Sequence, residues 1–356
     1  MITVSRAPLR VSFFGGGTDY PEYFESSQGA VLGMAINKYV YVIGLSLTDT
    51  LDFRYRVSYS RIETVAEAAQ IEHPVVRTIL QHYDVNEPLA LSVLTDLPSR
   101  SGLGSSSSFT ISCVNLVAYL QCRPVTKLDL AREAVYIERN LLGENVGVQD
   151  QHHAAFGGLN RFDFYNKRVR ISPVQMTGPC MAALNQSLFL VYTGMTRYAS
   201  DVLNEQMMRT RDRTIDRQLS HLLELTDQGV SVLEGTDPER MLGEFGQMLH
   251  ESWQTKKQLS TRISNPHIDE LYAAALAGGA LGGKLCGAGS GGFLLVVVPP
   301  ERQRTFRERL GRHPIVPINQ DTLGAIIESS GGIQQRPTLI DWPHHPAQTA
   351  PAMAFN

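Results

Sequence analysis

Residues 89–120 read LALSVLTDLPSRSGLGSSSSFTISCVNLVAYL, and the order of elements in this stretch decides the fold class. Leu89 to Leu94 has the alternation of a β-strand. Phe109, Cys113, Leu116, Val117 and Leu120 recur at three- and four-residue intervals and mark one face of a helix. Between the two lie Gly102 and Gly104, which let a ligand approach the backbone closely, and Ser105 to Ser108, which occupy the first helical turn. A strand, a glycine loop and a helix in this order aim unpaired N–H groups and the positive end of the helix dipole at an anion. The serine hydroxyls add hydrogen bonds to phosphate or an oxygen for magnesium. A helix capped by serine for structural reasons needs only one such residue. Pro98 to Ser108 is therefore read as a phosphate cradle.

Upstream of the cradle, Val4 to Phe14, Val31 to Ile36 and Tyr39 to Leu47 alternate with period two and are read as separate sheet strands. Ile62 to Tyr83 reads as two short helices broken at His73, which precedes a proline. Downstream, Thr126 to Leu142 is expected as one helix, Leu159 to Phe164 and Leu188 to Tyr192 as strands, and Ala199 to Lys257 as three helices. The carboxyl part then gives a helix at Ile268 to Ala277, a glycine-rich stretch, strand Phe293 to Val298, helix Glu301 to Arg312 and a final strand pair. A chain of 356 residues exceeds what a single core usually requires. The expected fold is α+β in two domains, residues 1–180 and 181–356, with the active-site cleft between them.

Composition narrows the partners. With 43% apolar and 19% charged residues the chain folds and buries a core. Thirty-two basic residues against 35 acidic ones, a net charge of -3, supply no field for nucleic acid or an anionic membrane, so an anionic ligand must be met by local groups. Cys113, Cys122, Cys180 and Cys286 form no CxxC pair, which argues against a zinc ribbon or a disulfide scaffold and suits a reducing cytoplasm. Arg6 and Arg10 interrupt any signal-like run at the amino terminus, and Phe293 to Val298 is too short to span a bilayer. A soluble cytoplasmic protein is expected.

Several side chains then demand partners. Arg10 stands in an apolar strand that ends in Gly15, Gly16, Gly17, Thr18 and Asp19, and a buried charge there is costly unless paired. Glu138 lies on the stripe Ala131, Ala134, Val135, Leu141, Leu142 and needs a cation, either an arginine or a magnesium ion facing the serine loop. Asp150 follows it by twelve residues, just past the turn Gly143 to Gly147. His152 and His153 are adjacent and lack an HxxxH partner, which favours a structural role. GGALGGKL at 278–285 and GAGSGG at 287–292 match the Walker A spacing, apart from Leu285, and the dinucleotide pattern. Both motifs require a helix after the loop, whereas a strand follows here.

Taken together, APLRVSFFGGGTDY, PSRSGLGSSSS, GVQDQ and GGKLCGAGSGGF resemble, in order and across most of the chain, the motifs of the kinase superfamily of galactokinase, homoserine kinase, mevalonate kinase and phosphomevalonate kinase, the GHMP kinases. RVSFFGGGTDYPEYF, GAVLGMAINKYVYV and the serine run resemble the branch of bacterial D-glycero-D-manno-heptose 7-phosphate kinases more than the galactokinases. Galactokinases carry Glu-His before Thr-Asp, where this chain has Gly16 and Gly17, which removes two sugar contacts.

The resemblance implies ATP and Mg2+ as cofactors, Asp150 as the acid at the acceptor hydroxyl and Arg10 as its cationic neighbour. It makes Gly102, Leu103, Gly104, Ser105, Ser106 and Ser107 the triphosphate cradle, and Ser106 with Glu138 the magnesium ligands. Gly287 and Gly289 shape the phosphate and sugar side of the cleft, and Asp19, with Gly16, Gly17 and Thr18, contacts the sugar. Arg197, Lys38 and Arg100 are candidates for a phosphate on the substrate. The implied reaction phosphorylates the anomeric hydroxyl of heptose 7-phosphate to the 1,7-bisphosphate, for nucleotide-activated heptose and surface polysaccharide. The implied partner is a small sugar phosphate, with a homodimer as a further option. Two other readings stay open: an anomeric kinase of a neutral sugar such as fucose, arabinose or galactose, and a non-catalytic sugar and ATP sensor.

Overall fold

The structure is a computed structural model and describes residues 2–166, 168–195 and 200–329. The amino-terminal half runs β1 (Ile2–Phe14), α1 (Pro21–Phe24), β2 (Gly29–Ser46), β3 (Tyr55–Ser58), β4 (Ile62–Val65), α2 (Pro74–His82), β5 (Leu89–Thr95), α3 (Ser105–Leu120), α4 (Lys127–Tyr136), α5 (Gln149–Phe156), β6 (Leu159–Tyr165) and β7 (Arg168–Pro173). The carboxyl-terminal half continues with α6 (Gly178–Ser187), β8 (Leu188–Tyr192), α7 (Ser200–Arg211), α8 (Asp216–Leu233), α9 (Pro238–Lys256), α10 (Pro266–Ala277), β9 (Gly282–Leu285), β10 (Phe293–Val297), α11 (Gln303–Leu310), β11 (Ile315–Pro317) and β12 (Ile326–Ser329). Among the described residues no helix is long and apolar enough to cross a membrane.

The first sheet is ordered β12-β1-β2-β5-β3-β4, with β6 paired to the first half of β2 and β7 paired to β6. Val31 to Ile36 and Tyr39 to Leu47 are one strand rather than two. Its first part pairs with β6 and its second with β5. The interruption expected between them is a bulge: Pro8 pairs with Tyr39 and Leu9 with Ile36, which leaves Asn37 and Lys38 without partners on β1. Proline brings no N–H to a ladder, so a shift beside Pro8 costs one hydrogen bond fewer.

Three further expectations change. Pro74–His82 is helical and Ala68–Gln70 forms a single 3-10 turn, but Ile62 to Val65 is strand β4 in a hairpin with β3. Its β-branched residues fit a pleated surface better than a helix. The helix expected through Leu142 ends at Tyr136, and Ile137–Leu141 forms a π turn. That wider turn rotates the face, so Ile137 and Glu138 are buried while Leu141 is 39% exposed. The final strands do not pair with each other: β11 joins the second sheet, ordered β11-β8-β10-β9, and β12 returns to β1. A division at 180/181 therefore leaves the last described strand in the amino-terminal sheet.

The two sheets share a continuous core. Phe245 of α9 packs edge-on against Phe13 and Phe14 at the end of β1, with ring centroids 5.0 and 5.6 Å apart. The start of the glycine turn after β1 is thereby fixed to the second domain, which places it on the cleft wall.

Candidate active site

A cleft of about 620 Å³ lies between the domains, walled by β1, the turn after it, the 100–106 loop, the start of α5, helices α7 to α9 and the 286–291 loop. Arg10 projects from β1. Its Nε and Nη2 donate to the two carboxylate oxygens of Asp150 at 2.9 and 2.8 Å, and its Nη1 donates to the Gly102 carbonyl at 2.7 Å. The arginine that β1 could not bury alone has thus paired with Asp150, which sits in the first turn of α5 rather than in a loop. This two-pronged pair fixes the carboxylate in direction as well as position.

Part of the expected cradle faces the cleft and part does not. Gly104 is the left-handed residue before α3 (φ +75°), with no side chain capping the helix, so the first amides of α3 remain available at the cleft. A Cβ on Gly104 would lie 3.3 Å from Asp150 Oδ2, so the missing side chain keeps the acid next to the cradle. Gly102, Ser105 and Ser106 line the cleft with it. Leu103 does not; it is fully buried, and its carbonyl accepts the Arg10 N–H at 3.0 Å. Ser107 is also turned inward, donating to Glu138 Oε2 at 2.9 Å.

Glu138 is 1% exposed and lies behind the wall. Gln151 also donates to its Oε2, and its Oε1 has no partner. Burial raises its pKa from the ordinary carboxylate range to about 7, against the opposing hydrogen bonds. A buried oxygen without a donor, one residue from the exposed Ser106 through Ser107, suits a hard cation such as magnesium, which is held through few protein oxygens. The structure does not bring Ser106 and Glu138 into direct contact; Ser107 stands between them.

Gly16, Gly17 and Asp19 also line the cleft. Asp19 is 1% exposed. Its carboxylate accepts the Gly17 and Gln149 backbone N–H groups at 3.0 and 3.4 Å. Burial raises its pKa, and the charge of Asp150 adds to the effect. Thr18 departs from expectation: its hydroxyl donates to the Gly15 and Ala30 carbonyls and accepts from the Ala30 N–H, stapling the turn from inside. Lys38 is carried on the β2 bulge and is not part of the wall. Arg197 lies outside the described residues. Arg100 lines the cleft. His152 and His153 are buried and neutral, with desolvation lowering the pKa of His152 to about 4 and that of His153 well below the usual value.

Gly287 and Gly289 line the cleft. The Gly102 and Gly287 backbones meet so closely that a Cβ on Gly102 would sit 2.5 Å from the Cys286 carbonyl oxygen. The two glycine loops form one floor.

Two functional candidates escaped the reading of the residues, Lys256 and Lys284, both on the wall. Lys284 stands in the glycine-rich GGKL, whose Walker A spacing lacks the helix that such a lysine would need after it. Lys256 lies on an ordinary amphipathic helix and gives no sign in the sequence.

The chain matches the model of the GHMP kinases N terminal domain over residues 55–158 and that of GHMP kinases C terminal over residues 238–315. It is 30% identical over 310 residues to the D-glycero-alpha-D-manno-heptose 7-phosphate kinase of Campylobacter jejuni, covering 84% of this chain and 90% of that protein. It is 26% identical over 335 residues to the bifunctional fucokinase/GDP-fucose pyrophosphorylase of Arabidopsis thaliana, covering 86% of this chain and 31% of that protein. The fold superposes on a D-glycero-D-manno-heptose 1-phosphate kinase from Bacteriodes thetaiotaomicron with a TM-score of 0.74 at 24% identity, covering 92% of this chain and 99% of that one. Both domains thus have counterparts, and the chain belongs to the GHMP kinases, a family of ATP-dependent phosphotransferases.

Proposed function

We propose that the protein phosphorylates the anomeric (C1) hydroxyl of D-glycero-D-manno-heptose 7-phosphate with ATP, giving the 1,7-bisphosphate and ADP. The observation that carries this reading is Asp150, clamped by Arg10 and adjoining the Gly102–Ser106 cradle, at the place where an acceptor hydroxyl and a terminal phosphate can meet. The extent of the similarity to the Campylobacter jejuni enzyme supports the choice of sugar. So do Gly16 and Gly17, which leave room where galactokinases place two side chains.

In this reading the amides at the start of α3 and the hydroxyls of Ser105 and Ser106 hold the triphosphate, and the Asp19 side of the cleft holds sugar hydroxyls. The C1 oxygen forms a bond to the γ-phosphorus as the bond from that phosphorus to the β,γ-bridging oxygen breaks. The hydroxyl proton passes to Asp150 and then to solvent. Transfer of this kind needs positioning and charge neutralisation more than strong basicity. Asp150 therefore serves chiefly by direction, as the Arg10 clamp arranges. Magnesium, held by Ser106 and Glu138, would neutralise phosphate charge.

The deciding experiment compares heptose 7-phosphate with the unphosphorylated heptose under ATP turnover. A kcat/KM higher by roughly ten- to 150-fold on the phosphosugar is expected, from one charge-assisted phosphate contact. A preference for the unphosphorylated sugar, or for fucose, arabinose or galactose, would transfer the reading to a neutral-sugar kinase.

The metal assignment has its own test. Ser106→Ala and Glu138→Gln should each raise the magnesium concentration for half-maximal activity. Because a proton occupies the Glu138 carboxyl below about pH 7, that concentration should also rise as the pH falls through 7 in the wild type. The Gln variant should lose this pH dependence. A Gln variant that folds and keeps the wild-type metal requirement would leave Glu138 a purely structural acid.

A further inference from the structure

Lys284 and Lys256 reach the floor of the cleft from separate elements, β9 and α9. Lys284 is 4% exposed, and its Nζ donates to the Phe13 carbonyl at 2.8 Å. Lys256 Nζ donates to the carbonyls of Leu285, at 2.9 Å, and Gly287. Among the described residues neither lysine forms an ion pair with a carboxylate. Arg10, the third cation at this spot, already uses Asp150. With both lysines protonated the cluster carries three positive charges against one negative. Burying charge without a counter-ion is expensive. Desolvation, together with the repulsion between the lysines, accordingly lowers the pKa of Lys284 to about 7, and desolvation lowers that of Lys256 to about 8. An ammonium has three N–H groups, so Lys284 keeps two and Lys256 one beyond those given to carbonyls. Such a cluster on a cavity wall is a site made for an anion.

Its location selects the anion. Lys256 holds Gly287; Gly287 packs against Gly102; the Gly102 carbonyl takes Arg10 Nη1; and the rest of the Arg10 guanidinium holds Asp150. The lysines therefore adjoin the point of transfer. When C1 of a heptose faces Asp150, a phosphate on C7 lies at the other end of the sugar. We propose that Lys284 contacts the terminal phosphoryl group of the nucleotide as it is transferred, with Lys256 beside it holding the 285–287 backbone in the shape that allows the contact. The proposal rests on the kinase reading but not on the identity of the sugar.

The test is acceptor-free. Lys284→Met, which keeps the length of the stem and removes the charge, should weaken binding of the imido analogue of ATP by roughly ten- to 150-fold, the range for one charge-assisted contact. It should leave ADP affinity within about twofold, because ADP lacks the group in question, and Lys284→Arg should recover most of the difference. Wild-type protein supplies a second measurement that no folding defect can confuse. Acetylation of Lys284 by acetic anhydride, followed by mass spectrometry, should be suppressed by the imido analogue and not by ADP. Equal losses for analogue and ADP, or labelling that the analogue does not suppress, would overturn the proposal. Turnover locates the alternative: a Lys284→Met loss confined to the phosphorylated heptose and absent with the unphosphorylated one would assign Lys284 to the acceptor's own phosphate and also sink the proposal. A wild type that uses neither heptose would refute the substrate reading, while the analogue and labelling results still decide the role of Lys284.

Discussion

Asp150→Asn is expected to lower kcat by about 10²- to 10⁴-fold, the range over which a positioned proton acceptor contributes, while nucleotide affinity changes little. The structure sharpens this expectation. The Arg10 guanidinium donates to both carboxylate oxygens, and an amide can accept from Nε or Nη2 but not from both. The variant therefore loses the proton acceptor and one prong of the clamp together. An Asn side chain also turns an NH2 group toward either the guanidinium or the acceptor hydroxyl. Steady-state kinetics with equilibrium titration of ADP separate these effects from a loss of folding. A variant retaining more than half of the wild-type kcat would remove Asp150 from the chemistry.

Gly102→Ala is the second substitution with a large expected effect, and it acts through the loops rather than the chemistry. Gly102 has φ +82°, and a Cβ there would stand 2.5 Å from the Cys286 carbonyl oxygen and 3.1 Å from the Gly287 nitrogen. Both neighbours are backbone, so the clash is relieved only by moving one glycine loop off the other. A displacement of about 1 Å at reacting groups can cost on the order of 10² in rate. A fall of that order in kcat is expected. Gly143→Ala is the control: its φ is +68°, yet nothing lies within 4 Å of the added carbon. It should cost about 1 kcal/mol of stability from left-handed backbone strain and leave kcat unchanged. If both variants lose activity alike, the contact between the loops is not what holds the cleft in order.

The segments legible in the sequence were those whose physics is local. The cradle was readable because strand, glycine loop and serine-rich helix start are consecutive and each has a short-range signature. The need of Arg10 for a partner followed from one charge in an apolar strand, although its partner did not, since Asp150 lies 140 residues away. Where the period was short or mixed, as in Ile62 to Val65, local pattern misled, and a hairpin with β3 decided the outcome. The π turn at Ile137–Leu141 shows the same limit. A five-residue change of pitch has no residue signature, yet it directs Glu138 to Ser107 instead of Ser106.

What the amino-acid sequence determined alone was the strand, glycine loop and helix around Gly102, the second glycine-rich stretch, and the need of Arg10 for a partner. Only the tertiary structure decided which of these meet. It paired Arg10 with Asp150, pressed Gly102 against Gly287, brought β12 back to β1, and set half-buried Lys256 and buried Lys284 beside one another on the floor. The reason is that these contacts are selected by which apolar faces can be covered at once. Phe245 packs edge-on against both Phe13 and Phe14, which joins the second domain to the end of β1. That packing sets two lysines of the second domain next to an arginine of the first, an arrangement that no stretch of residues encodes by itself.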